Sequence, residues 1–506
     1  MFHWAKWALV AAIAAGVVGA STQKVQAVGE TKISDAQLKA YIDGMSEDEQ
    51  IGQLFISRTP QSPQQGRQAV AKYHLGGLVL FGTDFEAGSA EQLKQTVQSY
   101  QAQAKVPLLI ATDQEGGTVS RLSSSPSYAN STFPSPQEAY QAGGMSSVLY
   151  QAELAAQDLH YIGVNWNFAP IADVAKDPNN YIYDRTFGKS YKETAEYIKQ
   201  VVPAMQSQGV GATLKHFPGY GAAGDTHTGF AKTTTAYDTL AAQDLLPFKA
   251  GIDAGVDGIM VTHIVMTAID NKYPASLSHK VITGVLRKKL GYKGVIITDG
   301  LEMGAIGQFK KANHIPSIDV LALQAGDDAL LAEDYATGVP AIKKALAEHK
   351  LSHAQIKAAD LHLLQLKNKL GLLEASAFIK PNLAVAATNT TKSATIAGAL
   401  QDPSVKAGTK LLAQVAGHTV ASAVLAQDGK FSFDVPLKAK PQRVVVRVAK
   451  LHKTLSLPAK GNHQTKKAVA AAKPSGHSLK DSWPLMVVIG GVVIVLFGIV
   501  LLRRRR

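Results

Sequence analysis

The sequence has 506 residues, no cysteine and a formal net charge of +13 at pH 7. The length allows one large domain with additions, and the lack of cysteine excludes disulfides, thiolate catalysis and Cys-ligated zinc. Residues 376–506 hold 20 Lys/Arg and 4 Asp/Glu, a balance of +16, which leaves −3 for residues 1–375. The basic character therefore belongs to the C-terminal part of the chain.

The chain begins with a predicted secretory signal peptide at residues 1–27. An apolar run at residues 8–20 follows Lys6, and Val25-Gln26-Ala27 offers a small-residue cleavage site. An uncleaved membrane anchor is the alternative interpretation.

Residues 33–375 alternate short apolar runs with helix-like segments. Eight runs are candidate strands: Ile51–Ser57, Gly77–Phe81, Leu108–Thr112, Val164–Phe168, Gly211–Leu214, Gly258–Thr262, Val295–Thr298 and Ala329–Ala332. The stretches between them, such as Ala90–Lys105, Thr194–Gln208 and Leu240–Ala254, have the length and spacing of amphipathic helices. This order predicts an α/β fold, a (β/α)8 TIM-type barrel with a parallel sheet covered on both faces. A doubly wound sheet is the alternative.

Polar residues follow five of these strands. They are Asp113 after the third strand, Asp173 and Arg185 after the fourth, Lys215 to His227 after the fifth, His263 after the sixth and Asp299 after the seventh. Active sites of such barrels lie at the carboxyl ends of the strands. We therefore expect these side chains to surround one pocket.

Residues 376–458 have a different character. Short alternating or β-branched runs occur at Ser393–Leu400, Lys410–Val415, Val420–Leu425, Lys430–Val435 and Arg443–Val448. They predict a small all-β domain, a β-sandwich of Ig-like or carboxypeptidase-regulatory-like type. Residues 459–482 are rich in Lys, Ala, Pro, Ser and Gly, which is typical of a flexible stalk.

Residues 483–502 carry no charge and are long enough to cross a hydrocarbon core of ~30 Å. The four arginines at 503–506 follow at once, and the positive-inside rule keeps them in the cytoplasm. We therefore expect a single-pass C-terminal anchor that holds the rest of the chain at the extracellular face of the membrane. In that location the basic segment favours wall polymers or lipid headgroups as partners over nucleic acid.

The most specific string is K-H-F-P-G-Y-G-A-A-G-D-T-H at residues 215–227. Its glycines and proline bend the backbone where bulky residues could not. It ends in Asp225 and His227, and a carboxylate beside an imidazole can fix the tautomer and raise the basicity of the ring. The pair is a candidate for proton transfer, although a lone D-x-H is more often a polar surface loop.

This string resembles the signature of the β-N-acetylhexosaminidases of glycoside hydrolase family 3, the NagZ-like group. D-Q-E-G-G-T-V-S-R-L at 113–122 resembles the first substrate-binding loop of the family, and D-R-T-F-G at 184–188 resembles its [RS]-x-F-G segment. G-V-I-I-T-D-G-L-E-M at 294–303 resembles the strand that ends in the nucleophilic aspartate. The segments occur in family order, and the resemblance covers the predicted barrel at 33–375.

The resemblance implies a role for each matching residue. Asp299 is the expected nucleophile, although an Asp after a strand can also serve as a helix N-cap. His227 is the expected acid/base, supported by Asp225, because the β-rich C-terminal part leaves no second α/β domain to supply one. The expected substrate-binding residues are Asp113, Arg121, Arg185, Lys215 and His216. Glu115, Asp173 and His263 are further candidates, of which Glu115 could simply hold its loop and His263 line the floor. Neither a metal nor a cofactor is expected.

The implied activity is that of an exo-acting, retaining β-N-acetylglucosaminidase acting on an amino-sugar glycan from peptidoglycan or chitin-type fragments. A β-glucosidase or a phosphorylase of the same family is an alternative, since a histidine donor adds no negative charge that would repel phosphate. Two further alternatives come from other classes. One is a metal-dependent barrel hydrolase that uses His216, Asp225, His227 and His263, and the other is a non-catalytic wall-binding protein.

Overall fold

The structure is a computed structural model. It describes residues 33–461 apart from 87, 125–126, 129–131, 222, 225, 227–228, 230, 333, 379–381, 391, 402–404, 406 and 428. The chain forms two compact units. One contains the described residues up to Asn382, with those of Leu400–Thr409 and Leu425–Gly429. The other is β-rich and holds Leu383–Ala399, Lys410–Val424 and the described residues from Lys430 on.

The first unit is built on eight parallel strands. They are β1 (Phe55–Arg58), β2 (Gly77–Leu80), β3 (Leu109–Thr112), β4 (Trp166–Asn167), β5 (Gly211–Phe217), β6 (Gly258–Val261), β7 (Val295–Thr298) and β8 (Leu330–Leu331). The sheet order is β8-β1-β2-β3-β4-β5-β6-β7. A parallel bridge between Ile297 and Ala329 joins β7 to the start of β8, so the sheet is a nearly closed barrel. The barrel prediction is confirmed in this form, and the doubly wound alternative is wrong.

Helices alternate with the strands, as the apolar spacing predicts. The α-helices of the described residues are Asp35–Asp43, Glu47–Gln53, Pro63–Tyr73, Gly82–Glu86, Ala90–Gln101, Pro136–Tyr161 (interrupted at Gly143 and Gly144), Tyr191–Gln206, Tyr237–Ala242, Leu245–Asp253, Gly304–Ala312, Ile318–Ala325, Tyr335–Ala347, His353–Lys369 and Ala375–Phe378. A π-helical segment spans Lys280–Lys289, and 3₁₀ turns span Leu122–Ser124, Tyr183–Arg185 and Ala275–Leu277.

Serine capping boxes fix where six of these described helices begin. The N-cap serine accepts a bond from the third helical N–H, while the Glu or Gln side chain at that position accepts from the serine N–H. One such box corrects the predicted first strand. Ser46 and Glu49 start a helix that continues to Gln53, so Ile51 is helical and β1 begins only at Phe55.

The barrel core is apolar on both faces of the sheet. Every residue of β2, β3, β5, β6 and β7 is buried. Trp166 and Phe168 lie edge to face with ring centroids 5.1 Å apart. Such continuous burial is what a parallel sheet covered by helices requires. It also leaves the carboxyl ends of the strands as the place where polar side chains collect.

The described residues from Asn382 on form seven strands, most of whose residues belong to the second unit: β9 (Asn382–Asn389), β10 (Ser393–Gln401), β11 (Lys410–Val415), β12 (His418–Val424), β13 (Lys430–Pro436), β14 (Gln442–Val448) and β15 (Leu451–Leu457). They form a three-stranded sheet, β9-β10-β13, and a four-stranded antiparallel sheet, β12-β11-β14-β15. Burial alternates along β13 and β14. The predicted all-β character is confirmed, whereas the Ig-like or carboxypeptidase-regulatory-like type remains a prediction.

Within the part of the chain that the structure describes, no helix combines the length and apolar character that a membrane crossing needs. The predicted signal peptide at 1–27, the predicted span at 483–502 and most of the predicted stalk at 459–482 lie outside the described residues.

Candidate active site

The loop after β3 carries two of the predicted carboxylates, Asp113 and Glu115. Gln114 lies between them and is fixed to Asn167 of β4 in both directions: its N–H donates to Asn167 Oδ1 at 2.9 Å, and Asn167 Nδ2 donates to its carbonyl at 2.9 Å. Gly116 then turns the chain at φ +90°, a conformation that L side chains rarely adopt. The loop backbone is thus held at the carboxyl end of the barrel.

An ion-pair network joins this loop to β5 and to the turn at Tyr183–Arg185. Lys215 Nζ lies 2.7 Å from Asp113 Oδ1 and 2.7 Å from Glu115 Oε1. Arg185 binds Glu115 through two bonds, Nε to Oε2 at 2.9 Å and Nη2 to Oε1 at 2.8 Å. Arg121 Nη2 is 3.6 Å from Asp113 Oδ2. Five predicted site residues therefore form one cluster.

The network keeps its buried members charged. Burial would raise the pKa of Glu115, but Lys215 and Arg185 lower this pKa to about 2. Burial would lower the pKa of Lys215, but Asp113 and Glu115 raise it on balance. The side chains of Asp113 and Arg121 are 16% and 22% exposed, against 1% for Glu115. Asp113 and Arg121 are therefore the more accessible members, while Glu115 is fully engaged in holding two cations.

His216, next to Lys215 in β5, is held by Asp173. Asp173 Oδ2 lies 2.8 Å from His216 Nδ1 and accepts the His216 backbone N–H at 3.0 Å. The other oxygen, Oδ1, accepts the backbone N–H of Tyr220 at 2.7 Å. Asp173 is buried and both of its oxygens are engaged within the protein. Its contacts are those of a group that orients the imidazole, and the ring nitrogen that Asp173 does not engage is Nε2.

Asp299 follows β7 directly and is partly exposed. Its N–H donates to Val261 O at 3.0 Å, and its Oδ1 accepts the N–H of Gly300 at 2.9 Å. Burial would raise the pKa of Asp299, but His216 and His263, together with the Gly300 N–H, lower it on balance. The side chain is therefore a carboxylate near neutral pH. The N-cap alternative is wrong, because the next helix begins at Gly304 with Met303 in the N-cap position.

His263, after β6, lies under the loop that follows Asp299. Its Nε2 is 2.8 Å from the carbonyl oxygen of Gly300, and its Nδ1 is 2.7 Å from Ser276 Oγ. A carbonyl can only accept, so Nε2 carries a proton. The ring is fully buried. With both nitrogens engaged by protein atoms, His263 braces this loop and offers neither nitrogen to a metal in this conformation.

Asp225 and His227 lie outside the described residues, so their predicted roles remain predictions. Thr226, between them in sequence, is described and buried. Its backbone N–H donates to the Tyr220 hydroxyl at 3.0 Å. Tyr220 is not among the residues that the sequence pattern predicts for the site, although it lies within K-H-F-P-G-Y-G. An aromatic residue between two glycines was the available signal.

Proteins of known family are similar to this chain. The model of the glycosyl hydrolase family 3 N terminal domain matches residues 46–366. Beta-hexosaminidase A of Pseudoalteromonas piscicida is 30% identical over 341 residues, which cover 62% of this chain and 56% of the relative. A beta-hexosaminidase of Xanthomonas campestris pv. campestris is 36% identical over 234 residues, 46% of this chain and 70% of the relative.

Two solved structures are similar to this fold. A glycoside hydrolase family 3 beta-N-acetylglucosaminidase from Paenibacillus sp. str. FPU-7 has a TM-score of 0.60 at 28% identity, covering 69% of this chain and 72% of that one. A beta-N-acetylhexosaminidase from Beutenbergia cavernae has a TM-score of 0.55 at 26% identity, covering 64% and 98%. The family match spans more than half of the chain. This chain is therefore a glycoside hydrolase of family 3.

Proposed function

We propose that this enzyme is an exo-acting, retaining β-N-acetylglucosaminidase that removes terminal β-linked N-acetylglucosamine from peptidoglycan or chitin-type fragments. The observation that carries the proposal is the ionised Asp299 at the carboxyl end of β7, with His216 and His263 as its electrostatic neighbours. Retaining hydrolysis needs such a carboxylate as nucleophile. The names of the similar hexosaminidases support the choice of an N-acetylated sugar.

Two steps make up the reaction. A carboxylate oxygen of Asp299 attacks the anomeric carbon as the bond to the glycosidic oxygen breaks, and that oxygen takes a proton from His227. Water then attacks the same carbon and gives a proton to His227, while Asp299 departs as a carboxylate and the β-anomer is released. Asp225 supports the charged imidazole. An imidazole suits both transfers because its ordinary pKa is ~6.5.

The ion-pair network supplies the groups that hold the sugar. Asp113 accepts hydrogen bonds from sugar hydroxyls, since among the described residues its Oδ2 has one charged neighbour, Arg121, at 3.6 Å. Arg121 donates to the substrate, and His216 presents its Nε2 to it. Lys215 and Arg185 are engaged by carboxylates at 2.7–2.9 Å, so they act largely by fixing Asp113 and Glu115.

One experiment tests the proposal as a whole. A fluorinated N-acetylglucosaminyl substrate that forms the covalent intermediate quickly and hydrolyses slowly should label the peptide that contains Asp299, as mass spectrometry would detect. The p-nitrophenyl glycoside of N-acetylglucosamine should be preferred over that of glucose by roughly 10²-fold or more. A preference for glucose would overturn the substrate assignment in favour of a β-glucosidase. Dependence of turnover on added phosphate, with a sugar phosphate as product, would indicate a phosphorylase.

We also propose that the second unit binds an anionic wall polymer. Arg443 and Arg447 are exposed on β14, and Lys410 is exposed on the neighbouring β11. Among the described residues after Leu383 the only acidic side chain is Asp434, which lies on β13 in the other sheet. One sheet is therefore cationic, which favours a polyanion.

Sedimentation with purified wall polymer tests this sheet. A triple variant in which serine replaces Arg443, Arg447 and Lys410 should not co-sediment with the polymer at low salt. A control triple variant in which serine replaces Lys392, Lys438 and Lys440 should still co-sediment. Equal binding by both triple variants would refute it.

The signal peptide, the single-pass anchor and the extracellular location remain part of the proposal. Deletion of 483–506 should move the enzyme from the membrane fraction into the medium.

A further inference from the structure

An exposed tyrosine lies beside the candidate site. Tyr181 belongs to the segment between β4 and the turn at Tyr183–Arg185, so it lies at the carboxyl end of the barrel. The guanidinium carbon of Arg185 is 5.9 Å from the centre of its ring, and the ring of Tyr220 is 6.3 Å away, centroid to centroid. The Tyr220 ring in turn meets the His216 ring edge-on at 5.5 Å. Tyr181 therefore borders the residues proposed to hold the terminal sugar.

The Tyr181 ring differs from these neighbours in how far it reaches into solvent. Tyr181 is 46% exposed, whereas the Arg185 side chain is 11% exposed and Tyr220 is 2% exposed. Partial exposure alone is ordinary for a tyrosine. This ring, however, is exposed directly beside the groups proposed to bind the substrate. It is therefore placed to contact the part of a bound substrate that extends out of the pocket.

The backbone on both sides of Tyr181 is fixed. Asn180 Oδ1 accepts the N–H of Ile182 at 3.0 Å. Asn180 Nδ2 donates to the carbonyl oxygens of Gly221 and Ala223, at 3.4 Å each. Ile182 is itself fully buried. A tyrosine has few side-chain torsions to order, so a ring on such a support can bind a ligand at a low cost in conformational entropy.

We propose that Tyr181 determines specificity at the aglycone position: its ring stacks on the pyranose that becomes the leaving group. This inference rests on the proposed function, because it takes the terminal N-acetylglucosamine to occupy the inner part of the site. There Asp113, Arg121 and His216 offer polar groups suited to hydroxyls. An exo-acting enzyme encloses the terminal sugar, so the next sugar along the chain extends toward solvent, where the half-exposed ring lies.

The chemistry of a gluco-configured pyranose suits an aromatic partner. Its ring substituents are equatorial in the β-anomer, so each face of the sugar presents axial C–H groups. The face of an aromatic ring carries the negative part of its quadrupole and attracts such C–H groups. Contact between the two faces also removes apolar surface from water. The second sugar of chitobiose and the N-acetylmuramic acid of a peptidoglycan disaccharide share this configuration, so the ring accepts either.

Tyr181→Ala tests the inference on substrates that differ only in the leaving group. We expect kcat/KM to fall about 5–10-fold on chitobiose and on the N-acetylglucosaminyl–N-acetylmuramic acid disaccharide, a loss of the size that one aromatic contact gives. On β-N-acetylglucosaminyl fluoride, whose leaving group has no ring to stack, the change should be less than about 2-fold.

Further variants separate stacking from bulk. Tyr181→Phe keeps the aromatic face and should hydrolyse the disaccharides nearly as well as the wild type. Tyr181→Leu keeps much of the bulk without a flat face, so it should lose as much as the alanine variant. Tyr150→Ala, at another exposed tyrosine, is the matched control and should behave as the wild type. Thermal melting of each variant identifies any that does not fold.

Unchanged hydrolysis of both disaccharides by Tyr181→Ala would overturn the inference, as would a fully active Tyr181→Leu enzyme. Equal losses on the disaccharides and on the fluoride would also overturn it, because the ring would then act on the terminal sugar or on the fold. A loss confined to one disaccharide would support it and identify the aglycone that the ring contacts. Failure of the proposed function looks different, since the wild-type enzyme would then release no N-acetylglucosamine from any of these substrates.

Discussion

Asp173 contacts His216 at two points, with one carboxylate oxygen 2.8 Å from the ring Nδ1 and 3.0 Å from the backbone nitrogen. The buried Asp173 carboxylate therefore fixes both the orientation of the His216 ring and the backbone near the end of β5. A histidine held in this way presents Nε2 in one direction, which is the condition for binding a sugar hydroxyl without rearrangement.

Asp173→Asn should weaken substrate binding. The single oxygen of the amide cannot keep the contacts with both His216 and the Tyr220 N–H, so at least one of them is lost and the ring is held less firmly. We expect KM to rise roughly 10-fold, which corresponds to ~1.4 kcal/mol. Steady-state kinetics would check this, with Asp238→Asn as an exposed control. An unchanged KM would remove Asp173 from its orienting role.

Asp299→Asn should leave a folded protein with kcat reduced roughly 10³-fold or more, because an amide cannot form the glycosyl ester. Circular dichroism would establish the fold, and kinetics with p-nitrophenyl N-acetylglucosaminide would measure the loss. Mass spectrometry must first exclude deamidation back to aspartate. Near-native turnover in a clean preparation would disprove the nucleophile assignment.

His227→Ala should slow substrates with poor leaving groups far more than activated aryl glycosides, which need little protonation. A series of aryl glycosides with leaving groups of increasing pKa would measure this. The slope of log kcat/KM against leaving-group pKa should become steeper in the variant. Parallel lines for wild type and variant would contradict an acid/base role.

Glu115→Gln should destabilise the barrel by about 3–5 kcal/mol, because it leaves Lys215 and Arg185 buried around a neutral amide. The folded-state pKa of Glu115 is about 2, below its ordinary value of 4.5, so its contribution is present above pH 4.5 and is lost as the pH falls toward 2. The stability gap between wild type and variant should therefore shrink by about 2 kcal/mol between pH 6 and pH 3. Urea denaturation at both pH values measures the gap, and a constant gap would argue against an ionised Glu115.

Lys367→Met should stabilise the enzyme near neutral pH. Burial lowers the pKa of Lys367 to about 7 despite nearby Asp360, and its amine donates to Gln53 Oε1 at 2.7 Å. Between pH 7 and 10.5 the unfolded chain binds a proton here that the folded chain does not, so wild-type stability rises with pH in this window. The variant should gain free energy of unfolding on the order of 1–2 kcal/mol once the lost bond to Gln53 is included. This gain should be largest at or below pH 7 and should shrink toward pH 10. Thermal melts across this range would show whether it does.

Much of the fold could be predicted because its signals are local. The predicted strand Val295–Thr298 has the bounds of β7, and an aspartate directly after a buried strand places Asp299 at the barrel mouth. The pairing of Asp173 with His216 spans 43 residues, and that of Glu115 with Arg185 spans 70. No periodicity encodes such contacts, because they depend on how neighbouring strands end at one rim.

Local signals also misled in one place. The apolar run from Ile51 fits a strand or a buried helix equally well. The capping box decides for the helix, since Ser46 pairs reciprocally with Glu49. Gln50 then ties this helix to the preceding one, because its side-chain amide donates to the carbonyl of Ile42 at 2.9 Å. A strand prediction based on apolar character alone overlooks both of these bonds.

The ion-pair network around Lys215 has one more consequence, for the kind of sugar that can enter. Three positive charges there face three negative ones, carried by Arg121, Arg185 and Lys215 and by Asp113, Glu115 and Asp299. These formal charges cancel, so an uncharged acetamido sugar adds no ion to a region that has already given up much of its hydration. A deacetylated sugar would add an ammonium charge to this balance, and the loss of hydration around that charge would disfavour its entry.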